Sequence, residues 1–263
     1  MSADAFAAAV EIGLRPPIAG PVQWLDETAS TNDEVALSAR NGAREGLVIG
    51  ADHQTAGRGR RGRAWVDAPS RSIAMSILLR PTAGQSPGLL PLVVALGVAE
   101  GLAPLVDEPI GIVWPNDLVS SDKKLTGILC EMGWQGGEVE WAIAGVGINV
   151  NAAPGAMEGA RFEPTCLASL GFHGKRADVA SAALAGLSRR YAQWQQIGAA
   201  PVVAAYRERD ALRGREITVR IDDAQGTELV GTAAGIDPQG RLIVSAADGE
   251  HRLAAAEVQH LRR

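Results

Sequence analysis

The chain has 263 residues, 46% of them apolar and 21% charged, with a net charge of −5; that suits one large domain, or one domain with a small appendage. The acidic balance argues against a general polyanion binder. Cys130 and Cys166 form no C-x-x-C pair and His53, His173, His251 and His260 show no ligand spacing, so neither a zinc site nor a disulfide framework is expected.

In chain order, residues 1–21 form a short Ala-rich segment, with no basic-then-apolar leader pattern, which predicts a cytoplasmic protein. Arg15-Pro16-Pro17 ends any helix there. Thr31 with Glu34 three positions on predicts a capping box, and Asn41-Gly42 the end of that helix. Residues 46–52 (GLVIGAD) and 72–80 (SIAMSILLR) read as strands. The apolar run 87–106 is long enough to cross a membrane, but it holds three prolines and Glu100, with no close Lys or Arg. It reads instead as a buried helix starting near Pro91.

GIVWPNDLVS, residues 111–120, is a strand entering a proline turn. Residues 124–132 and 138–150 read as two strands of one sheet joined at Gly136-Gly137, the second alternating Val139, Trp141 and Ile143. Helical patterns run from Ala177 to Ile197 and from Val202 to Leu212. After Gly214 the texture changes to short alternating segments at 215–223, 228–237 and 240–249, which predict a small β-barrel of about 50 residues. The expected organisation is an α+β domain over 22–212 ahead of an all-β domain over 213–263.

Between Gly57 and Arg63 lie three glycines and four arginines. Gly57-Arg58-Gly59-Arg60-Arg61-Gly62 spells G-x-G-x-x-G, but no helix starts after it, and Arg80-Pro81-Thr82 stands where a dinucleotide fold needs an acid. Guanidinium forks match phosphate or carboxylate oxygens, and the glycines let the backbone wrap a ligand closely. Without an anion the like charges repel, so a bound anion is expected to order the loop; a solvated Arg/Gly loop with no ligand is the plainer reading. A second cluster, Trp114-Pro115-Asn116-Asp117 followed by Asp122-Lys123-Lys124-Leu125-Thr126-Gly127-Ile128, can aim a lysine into a pocket between sheet and loop. Taken singly, the two lysines read as surface charges and Asn116-Asp117 as a turn.

Together these segments resemble the biotin protein ligases, in that family's order and over roughly residues 22–263. Ser30-Thr31-Asn32 is similar to the biotin-contacting segment, and Gln54–Trp65 to the biotin- and phosphate-binding loop. WPNDL and KLTGIL resemble the central signature with Lys124 as its lysine, and GVGINV (145–150) the strand whose asparagine, here Asn149, faces the nucleotide. The terminal GREITV and AAGIDPQGRLIV resemble the SH3-like domain.

The resemblance implies a class II synthetase-like domain, with a mixed or antiparallel sheet and flanking helices, followed by an SH3-like barrel. It implies a reaction in which biotin and ATP give biotinyl-5′-AMP, and the biotinyl group passes to a lysine of a biotin carboxyl carrier protein or domain, with Mg²⁺ as cofactor. Biotin contacts would come from Ser30, Thr31, Asn32, Gln54, Gly57, Arg58, Gly59, Arg60, Lys124 and Gly127. Nucleotide contacts would come from Arg60, Arg61, Arg63, Trp65, Asn116, Asp117, Lys124 and Asn149, with Lys124, Arg58 and Arg60 catalytic.

The family commonly has a lysine before W-P-N-D where this chain has Val113, which leaves Lys123 or the loop arginines to supply that charge. The family's repressors carry an N-terminal helix-turn-helix domain that residues 1–21 cannot hold, so no DNA partner is expected; a monomer and a homodimer both fit. Lipoate–protein ligases, the nearest rival, typically carry an R-R-x-x-G-G-G loop followed by a histidine, and no such segment is found. A nucleic-acid module is disfavoured by an aromatic content of 4%; a binding-only relative is the third reading.

Overall fold

The computed structural model describes residues 1–155, 161–221 and 227–254, and the backbone of 256–261. Its largest sheet is built around the hairpin of β6 (Lys123–Gln135) and β7 (Glu138–Asn149). Gly136 and Gly137 turn that hairpin with φ of 61° and 87°, the conformations a two-residue type I′ turn requires and glycine adopts freely. Around it lie β1 (Val22–Leu25), β2 (Val48–Ala51), β3 (Ser72–Leu79), β4 (Gly111–Val113) and β5 (Asp117–Ser120), in the order β1-β2-β3-β7-β6-β5-β4. Only β1 and β2 pair in parallel, so the sheet is mixed, as expected.

The two faces of this sheet have different fates. On one, Ile73, Met75 and Ile77 of β3 and Ala142, Ala144, Val146 and Ile148 of β7 join the main core, beneath α3 (Leu90–Leu102) and α4 (Arg176–Ile197). On the other, Leu78 and Ile143 are covered by Val35 and Ala39 of α2 (Thr31–Arg40). Past α2 that face carries Ser76, Ala74, Gly145, Gly147 and Gly127, the last two beneath the Trp65 ring.

Helix α3 is the apolar run that is long enough for a membrane span. It lies in the core, with eleven of its thirteen residues buried, because its small residues let α4 approach. A Cβ on Gly101 would stand 2.1 Å from the Ala182 carbonyl oxygen, and one on Gly186 2.1 Å from that of Gly97. The N-terminal segment belongs to the same core. Helix α1 (Ala3–Glu11) sets Phe6 4.0 Å from the Trp24 ring and buries Val10.

Helix α5 (Ala199–Arg209) stops three residues short of Leu212 because Asp210 turns the chain, its Oδ1 accepting from Leu212 N and the Tyr206 hydroxyl. The C-terminal part is a five-stranded antiparallel sheet of β8 (Glu216–Ile221), β9 (Glu228–Ile236), β10 (Leu242–Ala246), β11 (Gly249–Leu253) and β12 (Ala256–Leu261), in the order β11-β10-β9-β8-β12. It has two strands more than the three read from the alternation. Trp114 Nε1 donates to Gly240 O at 2.9 Å, and Ile217, Val219 and Leu242 join the main core, so this sheet is docked on the larger domain.

The capping box at Thr31 is corrected. Ser30 is the N-cap, Thr31 is already helical, and the Glu34 carboxylate accepts from Thr28 Oγ1 at 2.7 Å. The Thr31 N–H goes instead to Gln54 Oε1 at 2.8 Å.

The close α3–α4 approach predicts that Gly101→Val lowers stability by about 1–3 kcal/mol through overpacking. Urea unfolding of the two proteins measures it, and an unchanged midpoint with unchanged slope would refute the contact.

Candidate active site

Gly127 of β6 and Gly147 of β7 are direct cross-strand partners, so two adjacent positions on the open face carry no side chain. The Trp65 indole lies on them: a Cβ on Gly147 would be 2.3 Å from the ring, and one on Gly127 2.8 Å. The indole N–H is buried and finds no acceptor among the described residues. This flat floor belongs to a cavity of about 390 Å³ between the sheet, the start of α2, loop 57–69 and the segment after β7.

One end of the cavity is neutral and buried. Ser30, Thr31 and Asn32 are at most 5% exposed. Thr31 Oγ1 lies 2.7 Å from Ser76 Oγ and donates to Gln54 Oε1 at 3.1 Å; Ser76 Oγ in turn donates to Asn32 Oδ1 at 2.6 Å. Asn32 Nδ2 donates to Glu131 Oε2. This chain of donors and acceptors is held by the helix start, β2 and β3, so a polar ligand meets groups already oriented.

The other end is cationic. Among the described residues, Arg58, Arg60, Arg61, Arg63, Lys124 and Arg161 line the cavity with one carboxylate, Asp117. Lys124 Nζ is 2.8 Å from Asp117 Oδ1, and an Arg161 Nη is 3.2 Å from Asp117 Oδ2. Arg60 donates to Asn116 Oδ1 at 3.3 Å, while Asn116 Nδ2 donates to Ile128 O at 2.6 Å, fixing that side chain. Burial pulls the Arg161 pKa down to about 10, opposed by Asp117 and helped by the nearby Arg63 and Arg60 charges.

Loop 57–69 folds as a small hairpin. Gly59 N donates to Arg63 O at 2.7 Å and Trp65 N to Gly57 O at 2.9 Å, with Arg61 and Gly62 turning at φ of 57° and 72°. Arg58 anchors it to α2 through a two-pronged pair with Asp33 at 2.6 and 2.7 Å. That hydrogen bond is the main reason the Asp33 carboxyl is held below its ordinary value, and the Arg58 pKa rises in turn.

The structure thus gathers Ser30, Thr31, Asn32, Gln54, Arg58, Gly59, Arg60, Arg61, Arg63, Trp65, Asn116, Asp117, Lys124, Gly127 and Asn149 around one cavity. Gly57 stands outside the lining; its missing Cβ makes room for the Trp65 carbonyl, 2.6 Å from where that atom would be. Asn149 is 2% exposed and its amide donates to Thr165 O at 3.0 Å, so it ties β7 to the segment that follows. Val113 is 1% exposed in the core, and Lys123 pairs with Glu163 at 3.3 Å outside the lining. Sequence reasoning missed Arg161, Ser76, Glu131 and the pairing role of Gly147. Arg161 sits in no motif, and Ser76 and Glu131 are ordinary strand residues until register brings them to Asn32.

Residues 24–149 match the biotin/lipoate A/B protein ligase family, and residues 214–261 the biotin protein ligase C-terminal domain. A biotin–acetyl-CoA-carboxylase ligase of Mycobacterium tuberculosis is 36% identical over 244 residues, 90% of this chain and 87% of that protein. One of Paracoccus denitrificans is 35% identical over 240 residues, covering 89% and 98%. Among solved structures, a biotin protein ligase from Aquifex aeolicus in complex with biotin and ATP superposes with a TM-score of 0.78 at 26% identity, covering 92% of this chain and 98% of that one.

Two outcomes follow from the geometry. Gly147→Val must push the indole off the floor, so tryptophan emission shifts to the red, and the same substitution in a Trp65→Phe background gives no such shift; an unmoved maximum in the first protein refutes the contact. The Arg58–Asp33 pair is half-exposed and worth under about 1 kcal/mol. Its contribution is present above the ordinary carboxyl value and is lost as pH falls through the lowered one. Asp33→Asn is therefore expected to speed trypsin cleavage within loop 57–69 about three- to fivefold at neutral pH; equal rates would remove Asp33 as the anchor.

Proposed function

The chain belongs to the biotin protein ligase family, and from that premise we propose how its cavity carries out ATP-dependent attachment of biotin to a lysine of a carboxylase carrier domain. The observation that carries the reading is the polarity of the cavity: a buried hydrogen-bond chain of hydroxyls and amides at one end, six basic side chains at the other, and a glycine floor under Trp65 between them.

Biotin has that same polarity. Its ureido ring offers two N–H donors and a carbonyl, which suit Thr31, Asn32, Ser76 and Gln54. Its carboxylate then points towards Lys124 and the arginines. In the first step a biotin carboxylate oxygen attacks the α-phosphorus of ATP, and pyrophosphate leaves. Two anions must meet, so fixed positive charge where they meet lowers the barrier. Lys124 has that place: its ammonium rests on Asp117 and swings a short way to bridge carboxylate and α-phosphate. Arg60, steadied by Asn116, supports the phosphate side. In the second step the amine of the carrier lysine attacks the acyl carbon of biotinyl-5′-AMP, forming the amide and releasing AMP. Loop 57–69 closing over the anhydride keeps water from it until then.

Mg²⁺ would enter on the triphosphate. Among the described residues no cluster of three acidic, His or Cys groups offers a metal cage, and Asp117 is already shared by two cations, so phosphate oxygens and water would be its ligands, as this ion commonly prefers. Lipoate offers a dithiolane in place of the ureido ring. It would leave the buried amides and hydroxyls at the neutral end unpaired, and a site built on such groups discriminates strongly.

The test is an incubation of the protein with ATP, Mg²⁺ and a biotin carboxyl carrier domain, with biotin in one tube and lipoate in another, read as intact mass of the carrier. A gain of one biotinyl group and no lipoyl group is expected. A lipoyl gain alone would reverse the assignment of the neutral end. Lys124→Ala is expected to lower adenylate formation by at least about a hundredfold, the scale of one lost transition-state charge contact; near-parental formation would remove Lys124 from this role.

A further inference from the structure

Arg161 lies outside every segment that pointed to the site, yet the fold places it with the same clamp that places Lys124. Lys124 N donates to Glu163 O at 2.7 Å and Thr165 N to Lys124 O at 2.8 Å, a short parallel bridge between β6 and the 161–165 segment. The Arg161 side chain is 14% exposed, its guanidinium sits 4.4 Å over the Phe162 ring, and it reaches Asp117 Oδ2 at 3.2 Å. Asp117 also holds Lys124. The two cations thus converge on the same carboxylate at the wall of the cavity. Val113, the cross-strand partner of Asp117, supplies no cation there.

We propose that Arg161 is a binding residue for the phosphate oxygens of the nucleotide, a planar fork prealigned by Asp117 and Phe162 beside Lys124. This rests on the ligase reading above. The fork is held at both its edge and its face, so little side-chain freedom is lost when phosphate binds. Once Lys124 turns from Asp117 to the reacting carboxylate, Arg161 continues to neutralise Asp117, which keeps that carboxylate from repelling the phosphates.

The experiment compares parent, Arg161→Met and Arg161→Lys in biotin-dependent ATP–pyrophosphate exchange, with biotin affinity measured separately by calorimetry without nucleotide. Loss of a charge-assisted contact is expected to raise KM for ATP about tenfold or more in Arg161→Met. Biotin affinity should stay within about twofold of the parent, and Arg161→Lys should recover most of the loss. An unchanged KM for ATP overturns the proposal, as does a parallel fall in biotin affinity or a lysine variant as poor as the methionine one. If the parent itself shows no exchange, the ligase reading fails separately. Calorimetric titration of tripolyphosphate into parent and Arg161→Met then decides the point: weaker binding to the variant supports an anion site at Arg161, and equal binding or none to the parent overturns it.

Discussion

The architecture turns on two glycines opposite each other on neighbouring strands. Gly127 and Gly147 strip one patch of the central sheet of side chains, and a bare patch cannot serve as core. The sheet is therefore stabilised from its other face, where α3 and α4 cover β3, β6 and β7, and from α2 at one end. The region beyond α2 is free to be a floor. A flat aromatic ring fits it, as Trp65 demonstrates. A single methyl at Gly147 would meet the indole at 2.3 Å, so the small residues here are set by close approach rather than by backbone conformation, since neither glycine has a positive φ.

Charge is arranged around that floor with the same economy. An acidic chain concentrates cations in one cavity, and the arginine loop folds because its charges are met individually. Arg58 goes to Asp33 and lies 3.6 Å from Glu131, Arg60 goes to the Asn116 amide oxygen, and Lys124 and Arg161 divide Asp117. These partners do not cancel the field at the centre. Asp33 and Glu131 sit at the rim, partly exposed, where water screens them. Among the described residues, Asp117 is the carboxylate that faces the interior cations. The rim pairs hold the loop in place, while the cations converge on the cavity.

Much of this was legible in the sequence because local chemistry decided it. Gly136-Gly137 fixed a hairpin, Pro91 opened a core helix, and the run from Gly57 to Arg63 pointed to an anion beside the plainer reading of a solvated loop. What escaped depends on register and long-range return. Thr31 looked like a cap because Glu34 stands three residues later, but Gln54 competes for the same N–H from the end of another strand. Ser76 and Glu131 become site residues only when β3 and β6 bring them to Asn32. Residues 1–21 were set outside the expected domain of 22–212, although α1 carries Phe6 and Val10 into the core. Arg161 carries no local signal because its neighbours, Ala160 and Phe162, give no pattern; only the bridge to Lys124 assigns it a place.

That bridge also links positions that a motif reading treats as independent. The backbone of Lys124 is bonded on both sides to the 163–165 segment, and Asn149 reaches Thr165 from the end of β7. Lys124, its carboxylate partner and the chain that leaves β7 therefore form one hydrogen-bonded unit. A displacement of the 161–165 segment would move the Lys124 backbone and release Asp117 from Arg161 together. Assembly of the cationic end is accordingly cooperative. On the proposed reading, an anion held by Arg161 would also steady the strand that presents Lys124.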